Sequence, residues 1–297
     1  MRSISRRDFL QDSALLAATL AGAGILSESE AGEKTATAAA RPAPVSNQVT
    51  LLGESGPPAW CRWQLRGADA RTMLDRSQVF RVCAWEQPAL LELLPNAPEC
   101  FRLRAQVQHG EGDHPQGQVG IYFAHSKRPT VKGVMHCFFR TAFNDRVPSL
   151  KPRDEEAPTN NQVRLTLPIY REKEVSFSHQ VDISCGISRQ FTPAGSKVQS
   201  TPWRALEVEV TPEYIKTFWE GELIKTTWER EEADGCDPKK ALELARFVLR
   251  TKTVRPKDQT SELLLVAAEL ALGKGVGLYV EKGGAAFRSV VIEPLAL

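Results

Sequence analysis

Several signatures that would name a chemistry are missing from these 297 residues. There is no G-x-S-x-G elbow for a nucleophilic serine and no H-E-x-x-H pair for zinc. The one glycine-rich stretch, GKGVG at 273–277, is too short and wrongly placed to cradle a phosphate. The E-x-D-x-x-E pattern of glucanases does not occur either. Six cysteines (Cys61, Cys83, Cys100, Cys137, Cys185, Cys236) are spread without a C-x-x-C pair, which argues against a zinc site. The chain is long enough to bury its own core and need not be a disulfide scaffold, although an exported location would permit bridges. Charge is also scarce in net terms: 38 basic against 36 acidic residues give +2, with no basic run in the body of the chain, so nucleic acid is not an expected partner. No internal repeat is present, and 42% hydrophobic with 25% charged residues is ordinary globular composition.

What the sequence does have begins at its N-terminus. Ser5-Arg6-Arg7-Asp8-Phe9-Leu10 precedes a mildly apolar stretch from Ser13 to Leu26. Paired Arg6 and Arg7, then Phe-Leu, then such a run resemble a twin-arginine (Tat) export signal. A membrane span needs about 20 apolar residues, and this run is shorter, so an uncleaved anchor is the lesser reading. The expectation is a signal peptide over 1–31, with cleavage after Ala31 or as late as residue 40. An Ala/Pro/Thr-rich linker over 32–47 and a folded domain over 48–297 would follow. Such a protein meets the Tat translocase during export and resides in the periplasm or outside the cell.

The remainder reads as short strands. CFRLRAQVQHG alternates cleanly, with Phe101, Leu103, Ala105 and Val107 on one side and Arg102, Arg104, Gln106 and Gln108 on the other. EGDHPQG then turns the chain into a return strand, QVGIYFAHS. Further strand candidates are GVMHCFFRTAF, NQVRLTLPIY, EVSFSHQVDIS, WRALEVEVT and EYIKTFWEG. Near the C-terminus, GVGLYVEKGGAAFRSVVIEPL reads as a hairpin turning at Gly283-Gly284. Broken alternation from Phe287 to Val290 predicts a bulge, or a strand covered on both faces. Asp237-Pro238 reads as an N-cap and a first-turn proline opening a helix through about Leu249, and SELLLVAAELAL as a second helix. The expected fold is all-β, a jelly-roll sandwich with one or two helices inserted near 237–272.

Three pieces in order carry a family resemblance: LELLPNAPECFRLRAQVQHGEGDHPQGQVGIYFAHS, WRALEVEVTPEYIKTFWEGELI and GVGLYVEKGGAAFRSVVIEPL. Together they resemble the concanavalin A-like lectin/glucanase superfamily, and are similar to 3-keto-disaccharide hydrolase type domains. The resemblance implies that the C-terminal strands pair beside N-terminal ones. It also implies carbohydrate as the ligand class. Hydrolases of this type carry Glu, Gln and Asp along the strand after G-I-Y-F, whereas GVMHCFFRTAFND offers His136 and Arg140 and no carboxylate before Asp145.

Candidate site residues follow from chemistry. Glycoside hydrolysis wants two carboxylates across the bond. Glu207 and Glu209 share a strand face, but one opposite the apolar side, where solvent is the default reading. His109, Glu111, Asp113 and His114 gather in a glycine-spaced turn that offers oxygen ligands for calcium, or nitrogen and oxygen for zinc, but matches no known loop spacing and reads first as an ordinary hairpin turn. His125 reads as continuing the apolar side of Val119, Ile121 and Phe123, and His179 that of Val175, Phe177 and Val181. A histidine so placed is most often a satisfied core residue. Inward polar groups can also line a groove, and His125, His136 and Arg140 are the catalytic candidates. Tyr122 and Trp219 are the candidates for stacking on sugar rings. The expected function is an exported, non-catalytic module binding carbohydrate or a cell-surface partner such as a cell-envelope component, with no resident cofactor beyond possible calcium. The alternative is a hydrolase or lyase acting on 3-keto-glycosides or related sugars.

Overall fold

A computed structural model describes residues 48–75, 79–110, 117–131, 133–145, 162–172, 181–191, 201–228, 231–251 and 265–296. The predicted signal and linker, and the loop residues Glu111, Asp113 and His114, lie outside them, as does His179. The sandwich belongs to one unit, Ser46–Leu297.

Two antiparallel sheets make up this unit. The eight-stranded sheet runs in space β13 (Glu222–Leu223), β12 (Ile215–Trp219), β11 (Trp203–Val210), β6 (Phe101–His109), β17 (Gly283–Pro294), β4 (Phe80–Ala84) and β3 (Arg71–Leu74), and β1 (Val49–Leu52) also pairs with β17. The nine-stranded sheet runs β15 (Glu231–Ala233), β14 (Thr226–Trp228), β10 (Val181–Gln190), β9 (Gln162–Arg171), β8 (Gly133–Phe143), β7 (Gln118–Thr130), β16 (Lys274–Glu281), β5 (Ala89–Asn96) and β2 (Arg62–Leu65). Alternating residues from both sheets fill the space between them. Phe101 of one sheet meets Phe123 of the other edge-on at 6.3 Å, and Phe143 meets Trp219 at 5.0 Å. Leu103, Val107, Val208 and Ile292 face Val119, Ile121, Leu165 and Leu278 in the same core.

The charged side of the alternation in β6 works as the sequence suggested. Arg102 and Arg104 project from the eight-stranded sheet and pair with Glu207 and Glu209 of β11, with Glu293 of β17 within 3.6–3.9 Å. Glu207 and Glu209 are therefore rungs of a cross-strand ion ladder. Each such pair is worth a fraction of a kcal/mol at a sheet surface.

The expected helix is α1 (Pro238–Thr251), and Asp237 caps it, Oδ1 accepting from the backbone N–H of Lys239 at 2.8 Å. Within the second predicted helix, residues 265–268 are helical.

Two expected hairpins are corrected. β16 pairs with β5 and β7, whereas β17 pairs with β1, β4 and β6. The C-terminal pair is thus a corner between sheets, turned at Lys282 (φ 51°), with Gly283 and Gly284 already inside β17. Likewise β6 and β7 belong to different sheets, so QVGIYFAHS is not the ladder partner of the strand before it. Periodicity reports which face of a strand is buried but not which strand lies beside it. The bulge does occur: the β17 register slips between Arg288 and Val291, with Ser289 at φ 53°. The last strands also pair beside early ones, Val49 opposite Ile292 and Val280 opposite Ala89.

Candidate functional site

The outer face of the nine-stranded sheet, turned away from the core, carries the chemistry. Strict alternation would have left His125 facing inward with Val119, Ile121 and Phe123. Instead β7 bulges against β8: Phe123 lies opposite Phe139 but Ser126 opposite Cys137, with Ala124 at φ 56°. One extra residue reverses the faces beyond it. His125 therefore joins Tyr122 on the outer face, its ring 5.8 Å from Tyr122 and 6.1 Å from Phe138. The apolar-side assignment of His125 is corrected accordingly.

This bulge brings together two of the three catalytic candidates. His125 Nε2 and His136 Nδ1 are 2.9 Å apart, with the rings stacked at 5.2 Å. His136 Nε2 lies 3.0 Å from Glu172 Oε1. The Glu172 carboxylate only accepts, so His136 donates from Nε2 and accepts at Nδ1 from the Nε2–H of His125. His125 Nδ1 is left as a bare acceptor, with no donor to it among the described residues. Burial, then the neighbouring His136, push the His125 conjugate acid down to about 3. Burial lowers His136 as well, against the opposing pull of Glu172. Both rings are neutral near neutral pH. A base whose conjugate acid sits near 3 is a poor proton acceptor there.

Arg140 is on the same face of β8 but in a separate network. It is 2% exposed; Nε donates to Thr166 Oγ1 (2.9 Å) and Nη1 to Tyr170 Oη (3.0 Å), to Tyr279 Oη and to Glu281 Oε2 (3.3 Å). Tyr279 itself donates to Glu281 at 2.5 Å. Burial raises the Tyr279 phenol well above its ordinary range, against the opposing effect of Arg140. The carboxylate that β8 lacks is thus supplied by β16.

The two stacking candidates are enclosed. Tyr122 is fully buried in a second apolar cluster with Leu65, Leu90, Phe138, Tyr170 and Tyr279, and its hydroxyl has no hydrogen-bond partner among the described residues. Its ring lies over Gly277, where a Cβ would come within 2.8 Å of Tyr122 Cε1. Trp219 is 4% exposed and packs against Phe191 at 4.6 Å, with Arg204 over its ring at 5.3 Å. Of the turn at 109–114, His109 and Gly110 are described, and His109 is buried, 6.5 Å from the Phe143 ring. Among the described residues no group of three or more His, Cys, Asp or Glu side chains converges to hold a metal.

The feature missed in sequence is a pocket of about 340 Å³ lined by Trp63, Gln64, Leu65, Arg66 and Glu172. It lies where the edge strand β2 approaches the end of β9. In a flat sheet β2 and β7 would be about 14 Å apart, three strand spacings. Lys127 of β7 reaches across β16 and β5 to donate to Gln64 Oε1 at 3.0 Å, which ties this face of β7 to β2. Arg66 stacks over the Trp63 indole at 5.3 Å and donates from Nε to Ala70 O at 3.2 Å. The relay through His136 and His125 therefore begins in the wall of the pocket, at Glu172. The sequence signal for these residues was faint: WQLR alternates like any edge strand, and Glu172 simply follows the end of one.

No protein-family model matches the chain, and no curated protein matches it in sequence. Among solved structures it is similar to a carbohydrate-binding module, CBM66 from Bacillus subtilis, at 10% identity and TM-score 0.43 over 78% of this chain and 94% of that one. It is also similar to the exoplasmic/lumenal domain of VIP36 in a Ca2+/Man3GlcNAc-bound form (10%, TM-score 0.41, 84% and 89%). A third is the kappa-carrageenase of Pseudoalteromonas carrageenovora in complex with an oligotetrasaccharide of kappa-carrageenan (8%, TM-score 0.41, 85% and 87%). What the outer face can hold is set by its own side chains.

Proposed function

We propose that this chain is an exported, non-catalytic β-sandwich module that binds carbohydrate in the pocket between β2 and Glu172. The observation that carries the reading is the composition of that pocket. An indole and a leucine supply apolar wall, while an amide, a guanidinium and a carboxylate supply donors and acceptors at fixed places. A sugar needs this mixture, since each ring has apolar C–H faces and an equator of hydroxyls. A volume near 340 Å³ is at the small end for ligand pockets and suits the end of a glycan better than a long stretch of one. Export through the Tat translocase, with residence in the periplasm or outside the cell, rests on Arg6 and Arg7 and the run after them. A glycan of the cell envelope is the partner class that fits both halves of the proposal.

The test is isothermal titration of the full chain with a panel of mono- and oligosaccharides, with and without calcium, followed by chromatography of the sugar. Saturable heat with the sugar recovered intact is the expected outcome, weakened at least ten-fold by Trp63→Ala and retained in part by Trp63→Phe. Absence of heat across the panel would overturn it. A second reading, a hydrolase or lyase acting on 3-keto-glycosides, is favoured by one observation: the hydrogen-bonded series Glu172, His136, His125. New product in the same chromatogram, abolished by His136→Gln, would replace the first reading with this one.

A further inference from the structure

The donors of the pocket are arranged for an anion. Gln64 is 7% exposed, and its Oε1 is occupied by Lys127 Nζ, which orients the amide so that Nε2 is the atom left over. No acceptor for that Nε2 occurs among the described residues, although Gln64 lines the pocket. That nitrogen is within reach of solvent, so a ligand acceptor can take the place of water on it. Two residues on, Arg66 is held twice, by the Trp63 ring under its guanidinium and by the Ala70 carbonyl at Nε. Its two terminal nitrogens have no partner among the described residues, and they form the planar fork that grips carboxylates two-handed. Lys127 adds a second positive charge behind Gln64. On the opposite wall Glu172 can only accept, and one of its oxygens is already taken by His136.

We propose that this pocket is a subsite for an acidic sugar, a pyranose bearing a carboxylate. The carboxylate lies on the Arg66 fork and the Gln64 amide, and a ring hydroxyl donates to the remaining oxygen of Glu172. His136 and His125 act as positioning residues: they fix the Glu172 carboxylate by a hydrogen bond from a ring that stays neutral. The inference rests on the carbohydrate reading above and narrows it. A neutral glycan offers the fork and the amide single hydroxyl acceptors, whereas a carboxylate satisfies both at once with charge-assisted hydrogen bonds. A guanidinium already lying on an indole and tied at Nε loses little freedom on binding, so most of its interaction appears as affinity.

The experiment is titration of the full chain with four probes: glucose, glucuronic acid, glucuronamide and glucose 6-sulfate, each in low and high salt. The expected result is glucuronic acid binding at least ten-fold tighter than glucose or glucuronamide, the gap narrowing as salt rises. Arg66→Ala should bring glucuronic acid to within about three-fold of glucose, and Arg66→Lys should recover little of the difference because an ammonium is not a fork. Arg66 is exposed, so both variants should melt with the wild type. Equal binding of glucose and glucuronic acid would overturn the acid subsite and leave the carbohydrate reading standing. Tighter binding of the sulfate would overturn the carboxylate assignment. No binding of any probe, with none in the wider panel, would overturn both.

Discussion

Replacing Arg140 by leucine tests whether the outer face of the nine-stranded sheet is as dry as the burial of its charges implies. The guanidinium side chain is 2% exposed and that of Glu281 is 7%, with 3.3 Å between Nη1 and Oε2. Removing one partner of a buried ion pair costs about 3–5 kcal/mol, because the other is stranded as an uncompensated charge. Here one compensation survives, since Tyr279 still donates to Glu281 at 2.5 Å. Thr166 Oγ1 and the Tyr170 hydroxyl lose a donor, at about 1 kcal/mol each if nothing replaces it. These effects place Arg140→Leu at about 3–4 kcal/mol of destabilisation, a fall in melting midpoint of about 10 °C for a domain of this size. The double variant Arg140→Leu, Glu281→Leu removes both charges and should cost much less, about 1 kcal/mol, since apolar replacement of a whole buried pair is close to neutral. Urea unfolding of wild type, both single variants and the double variant gives the coupling directly. A single-variant loss below about 1 kcal/mol, or a coupling near zero, would mean that these charges are solvated and the outer face is open where the structure has it closed.

Three smaller perturbations have signs fixed by the structure. The folded-state conjugate acid of His125 is depressed from 6.5 to about 3, so the unfolded chain binds the extra proton across that window. The stability this imidazole contributes is complete above pH 6.5 and is lost as pH falls toward 3, at up to about 1.4 kcal/mol per pH unit. His125→Gln should flatten the urea midpoint between about pH 6 and 4.5, and an unchanged slope would refute the assignment. Gly277→Ala would place a Cβ 2.0 Å from the Leu91 carbonyl oxygen and 2.8 Å from Tyr122. Backbone cannot yield there, so a loss of about 3 kcal/mol or more is expected in the same melt. Ser289→Gly, at the exposed bulge of β17 with φ 53°, should instead raise stability by about 0.5–1 kcal/mol by relieving a left-handed conformation.

The architecture was legible in the sequence because it depends on burial, and burial leaves a period. CFRLRAQVQH shows which residues of β6 face the core, and WRALEVEV with IKTFW shows a hairpin that the structure contains, Leu206 opposite Trp219 and Val210 opposite Ile215. Asp237-Pro238 marked a helix start for the same local reason. Pairing across the two sheets left no such mark. Both the β6–β7 and β16–β17 connections look like hairpins and are corners, because alternation is identical in either case.

The site was legible only in part, and β7 shows why. Phe123-Ala124-His125 alternates as though His125 pointed into the core. A single residue in the left-handed region sends it outward instead, into hydrogen-bonding reach of His136. Pairing the two histidines from sequence was possible, since both lie on neighbouring strand candidates. Placing them on one face with Glu172 required the bulge, and nothing in Ala124 announces one, because alanine is not a residue that prefers positive φ. That cost of about 1–2 kcal/mol is borne at the one point of β7 where it changes the face of a titratable side chain. Ala124→Gly therefore separates strain from position. It should leave the His125–His136 pair in place and stabilise the chain slightly, less the burial of one methyl. Proline at 124, which forbids that φ, should return His125 to the core face and break the series that begins at Glu172. Imidazole NMR resolves the two outcomes through the hydrogen-bonded Nε2 protons. Loss of those signals in the glycine variant would show that the pair, not the bulge, is what the alanine holds.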